Sequence, residues 1–146
     1  MVAAKYFSPA QEDQMVGAIQ AAELNTSGEI RVHIDNICKG DALDEAAWLF
    51  KKLKMHKTAL RNGVLIYVAI ESKKFAIIGD SGINALVPDN FWEETKTQML
   101  ASFTQGQYTE GIANACESVG LLLKKHFPYQ SGDINELSDT ISFGKK

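Results

Sequence analysis

Residues 61–84 read Arg-Asn-Gly-Val-Leu-Ile-Tyr-Val-Ala-Ile-Glu-Ser-Lys-Lys-Phe-Ala-Ile-Ile-Gly-Asp-Ser-Gly-Ile-Asn, and this stretch decides the fold. The unbroken apolar run over 64–70 predicts a strand that is covered by helices on both faces. A tight turn at Ser72 and Lys73 then leads into a second strand, so the two strands form a hairpin. The chain leaves the sheet through residues 80–84, a loop with glycine and several side-chain oxygens.

The segments before the hairpin carry helix and strand signals. Ser8 and Gln11 have capping-box spacing around a proline, which predicts an amphipathic helix that ends near Asn25. Residues 29–35 alternate between Ile or Val and charged or polar side chains, as in a strand with one covered face. Asp41 is the expected cap of a second helix.

The segments after the hairpin predict two further helices. Asn90 and Glu93 have capping-box spacing before a third helix, and a fourth helix is expected over about 109–126. A proline closes this pattern and the following residues are polar. The sequence therefore predicts one domain over 1–127 and a polar, flexible C-terminal tail over 128–146.

The order of these elements predicts the topology of the sheet. A strand-helix-strand unit crosses over right-handed, which makes its two strands parallel, whereas the hairpin makes the third strand antiparallel. We therefore expect an α/β fold, a three-layer α-β-α sandwich with a short mixed central sheet. In this arrangement Asp80 approaches Asn62 and Glu29 at one edge, and Asp35 lies at the opposite edge.

Composition excludes some classes of function. The 146 residues are 45% hydrophobic and carry a net charge of -3, with an isoelectric point near 5.6, which argues against a nucleic-acid-binding face. Cys38 and Cys116 lack metal or redox spacing and are interpreted as structural thiols. No apolar run reaches about 20 residues and no signal-peptide core is visible, so a cytoplasmic protein without a membrane span is expected.

Oxygen-bearing side chains at the sheet edge where Asp80 is expected suggest a site for a hard cation, because calcium and magnesium prefer oxygen ligands. The alternative is structural, since the same residue types form turns and helix caps without any ion. The candidate metal ligands are Glu29, Asn62, Asp80, Ser81, Asn84 and Asp89.

Four motifs occur in the order and spacing of one family. They are Ser-Gly-Glu-Ile-Arg-Val at 27–32, Asn-Gly-Val-Leu-Ile at 62–66, Ile-Ile-Gly-Asp-Ser-Gly-Ile-Asn at 77–84 and Gly-Gln-Tyr-Thr-Glu-Gly-Ile at 106–112. Over about residues 5–127 the chain resembles a TPM domain, in a soluble, stand-alone form of bacterial type. This family includes thylakoid-lumen phosphatase-like proteins and a photosystem repair factor.

The resemblance implies an α-β-α sandwich, a calcium or magnesium site in loops at one sheet edge, and in some members acid phosphatase or nucleotide phosphohydrolase activity. Two residues depart from the family pattern. Arg61 stands where many relatives carry aspartate, and Asn84 stands where many carry glutamate. Arg61 either neutralises a phosphate beside the ion or forms a plain surface salt bridge.

Two classes of function remain open at this level. In a metal-dependent phosphatase, Asp80 is the candidate catalytic residue and holds the ion or orients a water molecule. His33 and His56 have no partner at motif spacing that would indicate a catalytic role. In the alternative, the domain is a non-catalytic module that assists assembly or repair of other proteins. The expected partners are accordingly a divalent cation and either a phosphate-containing small molecule or a protein.

Overall fold

The computed structural model describes residues 3–129 and 141–144. In chain order its elements are α1 (Pro9–Glu23), β1 (Glu29–Asp35), α2 (Ala42–Lys52), β2 (Gly63–Ala69), β3 (Lys74–Gly79), α3 (Ser81–Asn84), α4 (Glu93–Thr104), α5 (Tyr108–His126) and β4 (Ser142–Phe143), with 3-10 turns at Ala3–Tyr6 and Met55–Lys57. Of the tail expected to be flexible, residues 130–140 and 145–146 lie outside the described residues.

The described strands form one mixed sheet in the order β3-β2-β1-β4. β1 and β2 are parallel, with Glu29 opposite Gly63, and β2 and β3 are antiparallel, with Val64 opposite Gly79. The predicted directions of the first three strands are confirmed. Asp35 pairs with Ala69 at the far ends of β1 and β2, so its predicted place at the opposite edge is also confirmed.

Helices cover both faces of this sheet. On one face α1, α4 and α5 enclose a core that includes Met15, Ile66 and Ile112. On the other face α2 packs against β2 and β3 through a second core that includes Leu49 and Tyr67. The three-layer α-β-α sandwich is therefore confirmed, and every residue of β2 is buried as its apolar run predicts.

Two of the three predicted helix caps are confirmed and one is wrong. The Ser8 side chain accepts the Gln11 N–H at 3.1 Å, the Gln11 side chain accepts the Ser8 N–H at 2.8 Å, and Asp41 caps α2. The predicted capping box at Asn90 and Glu93 is wrong. The helix cap there is Trp92, which makes no side-chain capping bond. Asn90 does not cap the helix because it lies within hydrogen-bonded turns that precede it.

Two further local predictions need correction. β1 was expected to have one covered face, yet Glu29, His33 and Asp35 on its polar face are all buried. The loop over 80–84 contains a single helical turn, α3, capped by Asp80. In addition, β4 lies in the segment expected to be a tail and pairs in parallel with β1. Tertiary contacts produce all three features, so sequence periodicity does not report them.

The cysteines provide a first test of the core. Cys116 on α5 is fully buried, and burial raises the pKa of its thiol to about 12, with a smaller contribution from Glu23. Because the thiolate is the reactive form, we expect Cys116 to react with a disulfide reagent at pH 8 at least a hundredfold more slowly than in unfolded protein. A Cys38→Ser variant isolates this reaction. Equal rates before and after unfolding would contradict the described packing of α5.

Candidate functional site

The candidate site lies where β1 and β2 begin and β3 ends. The backbone N–H of Asp80 donates to Gly63 O at 3.0 Å, and that of Glu29 donates to Asn62 O at 3.3 Å. Glu29 is also the register partner of Gly63. The predicted convergence of Asp80, Asn62 and Glu29 at one sheet edge is therefore confirmed. We call this region the Asp80 edge.

The carboxylate of Asp80 is held by Arg61. Arg61 Nε donates to Oδ2 at 2.8 Å and Nη2 donates to Oδ1 at 2.9 Å, which is the forked geometry that guanidinium groups form with carboxylates. The Ser81 N–H also donates to Oδ1, at 2.7 Å, and this bond caps α3. Both carboxylate oxygens of Asp80 therefore have partners within the chain.

Burial is unequal across this ion pair. The side chain of Asp80 is 5% exposed, whereas that of Arg61 is 48% exposed. The hydrogen bond to Asp80 raises the pKa of Arg61 above its ordinary value. Arg61 is therefore a permanent cation, and about half of its side chain lies in contact with water. The expected salt bridge is present, but only its arginine end lies at the surface.

A close backbone contact fixes the position of this pair. The N–H of Gly82 donates to Arg61 O at 2.9 Å, and a Cβ at Gly82 would lie 2.2 Å from Leu60 O. The first turn of α3 therefore rests directly on the chain that enters β2. Arg61 itself has a left-handed φ of 52°, which turns the backbone towards this contact.

The other predicted ligands serve different purposes in the structure. Asn62 is buried, and its Nδ2 donates to Ser27 O at 3.2 Å, which joins the entrances of β1 and β2. Asn84 is exposed, and its Nδ2 donates to Gly79 O at 3.1 Å. Asp89 is exposed in the turn before α4, and no hydrogen bond among the described residues joins it to the Asp80 edge.

The side chains at this edge have the oxygen donors that a hard cation needs, but they do not form a prebuilt cage. Within residues 3–129 and 141–144, no three His, Cys, Asp or Glu side chains are grouped to hold a metal ion. The guanidinium of Arg61 already occupies the inner oxygens of Asp80. Any cation at Asp80 would therefore compete with Arg61 for these oxygens.

Neither histidine completes a catalytic pair at this edge. His33 lies within β1 and its Nε2 is 3.3 Å from Asp35 Oδ1, away from Asp80. His56 lies in the turn that precedes β2, and its buried Nδ1 has no hydrogen-bond partner among the described residues. In the described part of the chain, no hydrogen bond links either imidazole to Asp80.

The sequence model of the TPM domain matches residues 1–121. The chain belongs to the TPM domain family. No curated protein matches the chain at a significant level.

Solved structures agree with this membership. An NMR structure of the BA42 protein from the psychrophilic bacterium Bizionia argentinensis is 46% identical to this TPM domain, covers 94% of both chains and has a TM-score of 0.88. The N-terminal domain of a P. gingivalis protein is 22% identical over 83% of this chain and 78% of that one, with a TM-score of 0.68. The N-terminal domain of a Corynebacterium glutamicum protein is 16% identical over 90% and 82%, with a TM-score of 0.64. The last two show a shared fold.

Sequence reasoning missed a second polar cluster in this TPM domain. Tyr67 OH donates to Asp35 Oδ2 at 2.8 Å, and His33 contacts the other oxygen of the same carboxylate. All three side chains are buried. One signal was available, because register pairing places His33 beside Tyr67, a lone hydroxyl in an otherwise apolar strand.

Among the described helices, none is long and apolar enough to cross a membrane.

Proposed function

We propose that this TPM domain binds a divalent cation, calcium or magnesium, at the Asp80 edge in exchange for the guanidinium of Arg61. The observation that carries the proposal is a buried carboxylate whose counterion is a half-exposed side chain. Asp80 and Glu29, both buried, flank Gly63, which brings no side chain between them. Calcium accepts this kind of irregular set of oxygen donors.

In this proposal Asp80 is the central ligand of the ion. Asn62 and Glu29 would supply oxygen from the entrances of β1 and β2, and Ser81 and Asn84 would supply it from α3. Asp89, which lies exposed in the turn before α4, is the remaining candidate. Because Arg61 competes for the same carboxylate, we expect affinity in the millimolar range for the unmodified chain.

Removal of the competitor gives a specific test. Arg61→Ala is expected to bind calcium about three- to tenfold more tightly than the unmodified chain, since binding no longer breaks an ion pair. Asp80→Asn is expected to abolish binding while it keeps the cap of α3, because asparagine is also a good N-cap. The measurement is isothermal titration of chelator-treated protein, with amide chemical shifts at residues 62 and 80–84 as the site-specific signal.

Lys96→Ala is the matched control. It removes the same charge from an exposed ion pair with Glu93 on α4, remote in sequence from the Asp80 edge. We expect this variant to bind calcium as the unmodified chain does. Equal affinities for the Arg61→Ala and Lys96→Ala proteins would rule out the exchange, and undiminished binding by Asp80→Asn would rule out the site.

We further propose phosphate ester hydrolysis as the activity of the cation-loaded site. The bound ion would polarise a phosphoryl oxygen and lower the pKa of a water molecule. Arg61, released from Asp80, would then present its forked donors to the phosphate. Turnover of a generic phosphate ester that needs the ion and falls in Arg61→Lys would support this step, whereas cation binding without turnover would leave only the binding function.

The alternative function is a non-catalytic module that binds other proteins. It is favoured by the fact that no hydrogen bond joins Asp80 to a candidate general base within residues 3–129 and 141–144. Under this alternative the ion stabilises the fold of the Asp80 edge by mass action, without chemistry. A partner would then be captured equally well by the Arg61→Lys protein, which has lost the forked donor.

A further inference from the structure

A buried polar cluster lies near the C-terminal ends of β1 and β2, at the opposite end of these strands from the Asp80 edge. It joins β1, β2 and β4 through Asp35, which contacts His33 Nε2 at 3.3 Å and accepts a hydrogen bond from Tyr67 OH at 2.8 Å. The rings of His33 and Tyr67 stack at a centroid distance of 6.0 Å. His33 Nδ1 faces Ser142 Oγ at 2.7 Å. The cluster thus ends on a side chain of the C-terminal segment.

The C-terminal segment lies along β1 in parallel register. Ser142 is opposite His33 and Phe143 is opposite Ile34, and the N–H of Gly144 donates to Ile34 O at 3.0 Å. Phe143 points to the opposite face of the sheet, where it packs against the large core and its ring lies 6.3 Å from that of Phe7. Backbone bonds therefore set the register, and side chains on both faces contact the segment.

Two positions in this segment tolerate little change. A Cβ at Gly144 would lie 1.5 Å from Asp35 Oδ1 and 3.0 Å from His33 Nε2, so no side chain fits there. Ser142 Oγ donates to Val32 O at 3.3 Å while it also meets His33 Nδ1. An apolar residue at 142 would leave that buried ring nitrogen without this partner, which costs free energy.

We propose that the outer edge of β1, from Val32 to Asp35, is a strand-binding slot selective for the sequence serine-aromatic-glycine, and that residues 142–144 of the same chain are its occupant. An edge strand offers unpaired N–H and C=O groups, to which an extended segment adds as a further strand. Selectivity comes from His33 at the serine position and from Asp35 at the glycine position. While occupied, the slot is closed to strands of other chains.

The short length of β4 makes its docking reversible. It pairs with β1 through Ser142 and Phe143 and belongs to the same chain, so its local concentration at the slot exceeds that of a dilute separate peptide. A separate peptide therefore competes poorly with the attached segment. The slot becomes measurable in trans once the attached segment carries a residue that the slot rejects.

The test uses the full chain with Gly144→Val. We expect amide exchange at positions 142 and 144, whose N–H groups face β1, to become at least tenfold faster than in the unmodified chain. Gly40→Val is the matched control, since no described atom lies within 4 Å of a Cβ at Gly40. It should leave the exchange rates at 142 and 144 unchanged. Unchanged exchange in the Gly144→Val chain would overturn the proposal.

A peptide experiment then tests selectivity. A peptide with the sequence of residues 138–146 is expected to bind the Gly144→Val chain at up to millimolar concentration and to shift the amide signals of residues 32–35. The same peptide with valine at its glycine position is expected not to bind. Equal binding of both peptides, or binding of neither, would overturn the slot.

A second variant keeps the proposal testable if Gly144→Val fails to fold. Ser142→Ala retains the backbone bonds of β4 but removes the hydroxyl from His33. We expect exchange at Gly144, whose N–H donates to Ile34 O, to accelerate several-fold and the His33 ring signals to shift. If the His33 ring signals of the Ser142→Ala chain are the same as those of the unmodified chain, the Ser142 hydroxyl does not contribute to the selectivity of the slot.

Discussion

Gly82→Ala is expected to lower the free energy of unfolding by about 3 kcal/mol, because a methyl group at this position meets backbone atoms that cannot move aside cheaply. The added Cβ would lie 2.2 Å from Leu60 O and 2.6 Å from Arg61 O. Relief requires α3 to move away from the chain entering β2. This movement would also break the bond from the Gly82 N–H to Arg61 O.

The measurement is urea unfolding of both proteins, with a comparison of midpoints and slopes. Gly17→Ala is the control, since Gly17 is an exposed residue of α1 and no described atom lies within 4 Å of its added Cβ. There the same substitution should stabilise the protein by about 0.5 to 1 kcal/mol, as alanine favours the helix. A Gly82→Ala protein as stable as the unmodified chain would contradict the described contact.

The same variant links the fold to the candidate site. Arg61 and Asp80 keep their forked geometry only while α3 rests on the backbone at residues 60 and 61. We therefore expect Gly82→Ala to alter the signal of the Arg61 side-chain N–H more than signals from α1. Gly82 thus helps to hold Asp80 in place through its backbone, although it has no side chain that could bind a ligand.

The sequence predicted those parts of the fold whose signals are local. The apolar run over 64–70 and the capping residues Ser8 and Asp41 each act within a few residues, and the handedness of the crossover then fixes the sheet. By contrast, α3 has the sequence Ser-Gly-Ile-Asn, which has little helix propensity. It forms because Asp80 caps it and because Gly82 fits against neighbouring backbone.

The candidate site was predictable in position but not in its internal bonding. Topology alone placed Asp80 near Asn62 and Glu29, because strand direction decides which ends meet. Whether Arg61 faces a ligand or Asp80 depends on side-chain geometry that spacing does not encode. Likewise, β4 covers His33 and Asp35 on the polar face of β1, and it pairs through only two residues and has no periodic pattern that could reveal it.

Tyr67→Phe is expected to destabilise the protein by about 2 kcal/mol, because it removes a hydrogen-bond donor from a buried carboxylate. Asp35 is 2% exposed and Tyr67 is fully buried, so water does not readily replace the lost hydroxyl. The measurement is the difference in unfolding free energy at pH 7. Tyr129→Phe is the control, since Tyr129 is 53% exposed and its loss should change stability by less than about 0.5 kcal/mol.

Stability measurements at alkaline pH distinguish the contribution of the Tyr67–Asp35 hydrogen bond from that of ring packing. Burial, followed by the hydrogen bond to Asp35, raises the pKa of Tyr67 above its ordinary value of 10.0. Between pH 10 and the raised value the unfolded chain loses this proton while the folded chain keeps it, so the contribution of Tyr67 to stability falls as pH rises. Phenylalanine has no such proton. The difference in unfolding free energy between the unmodified chain and Tyr67→Phe should therefore narrow above about pH 10, by up to about 1.4 kcal/mol per pH unit. A gap for Tyr67→Phe that is independent of pH would show that the hydroxyl ionises equally in both states and that its bond to Asp35 is absent in solution.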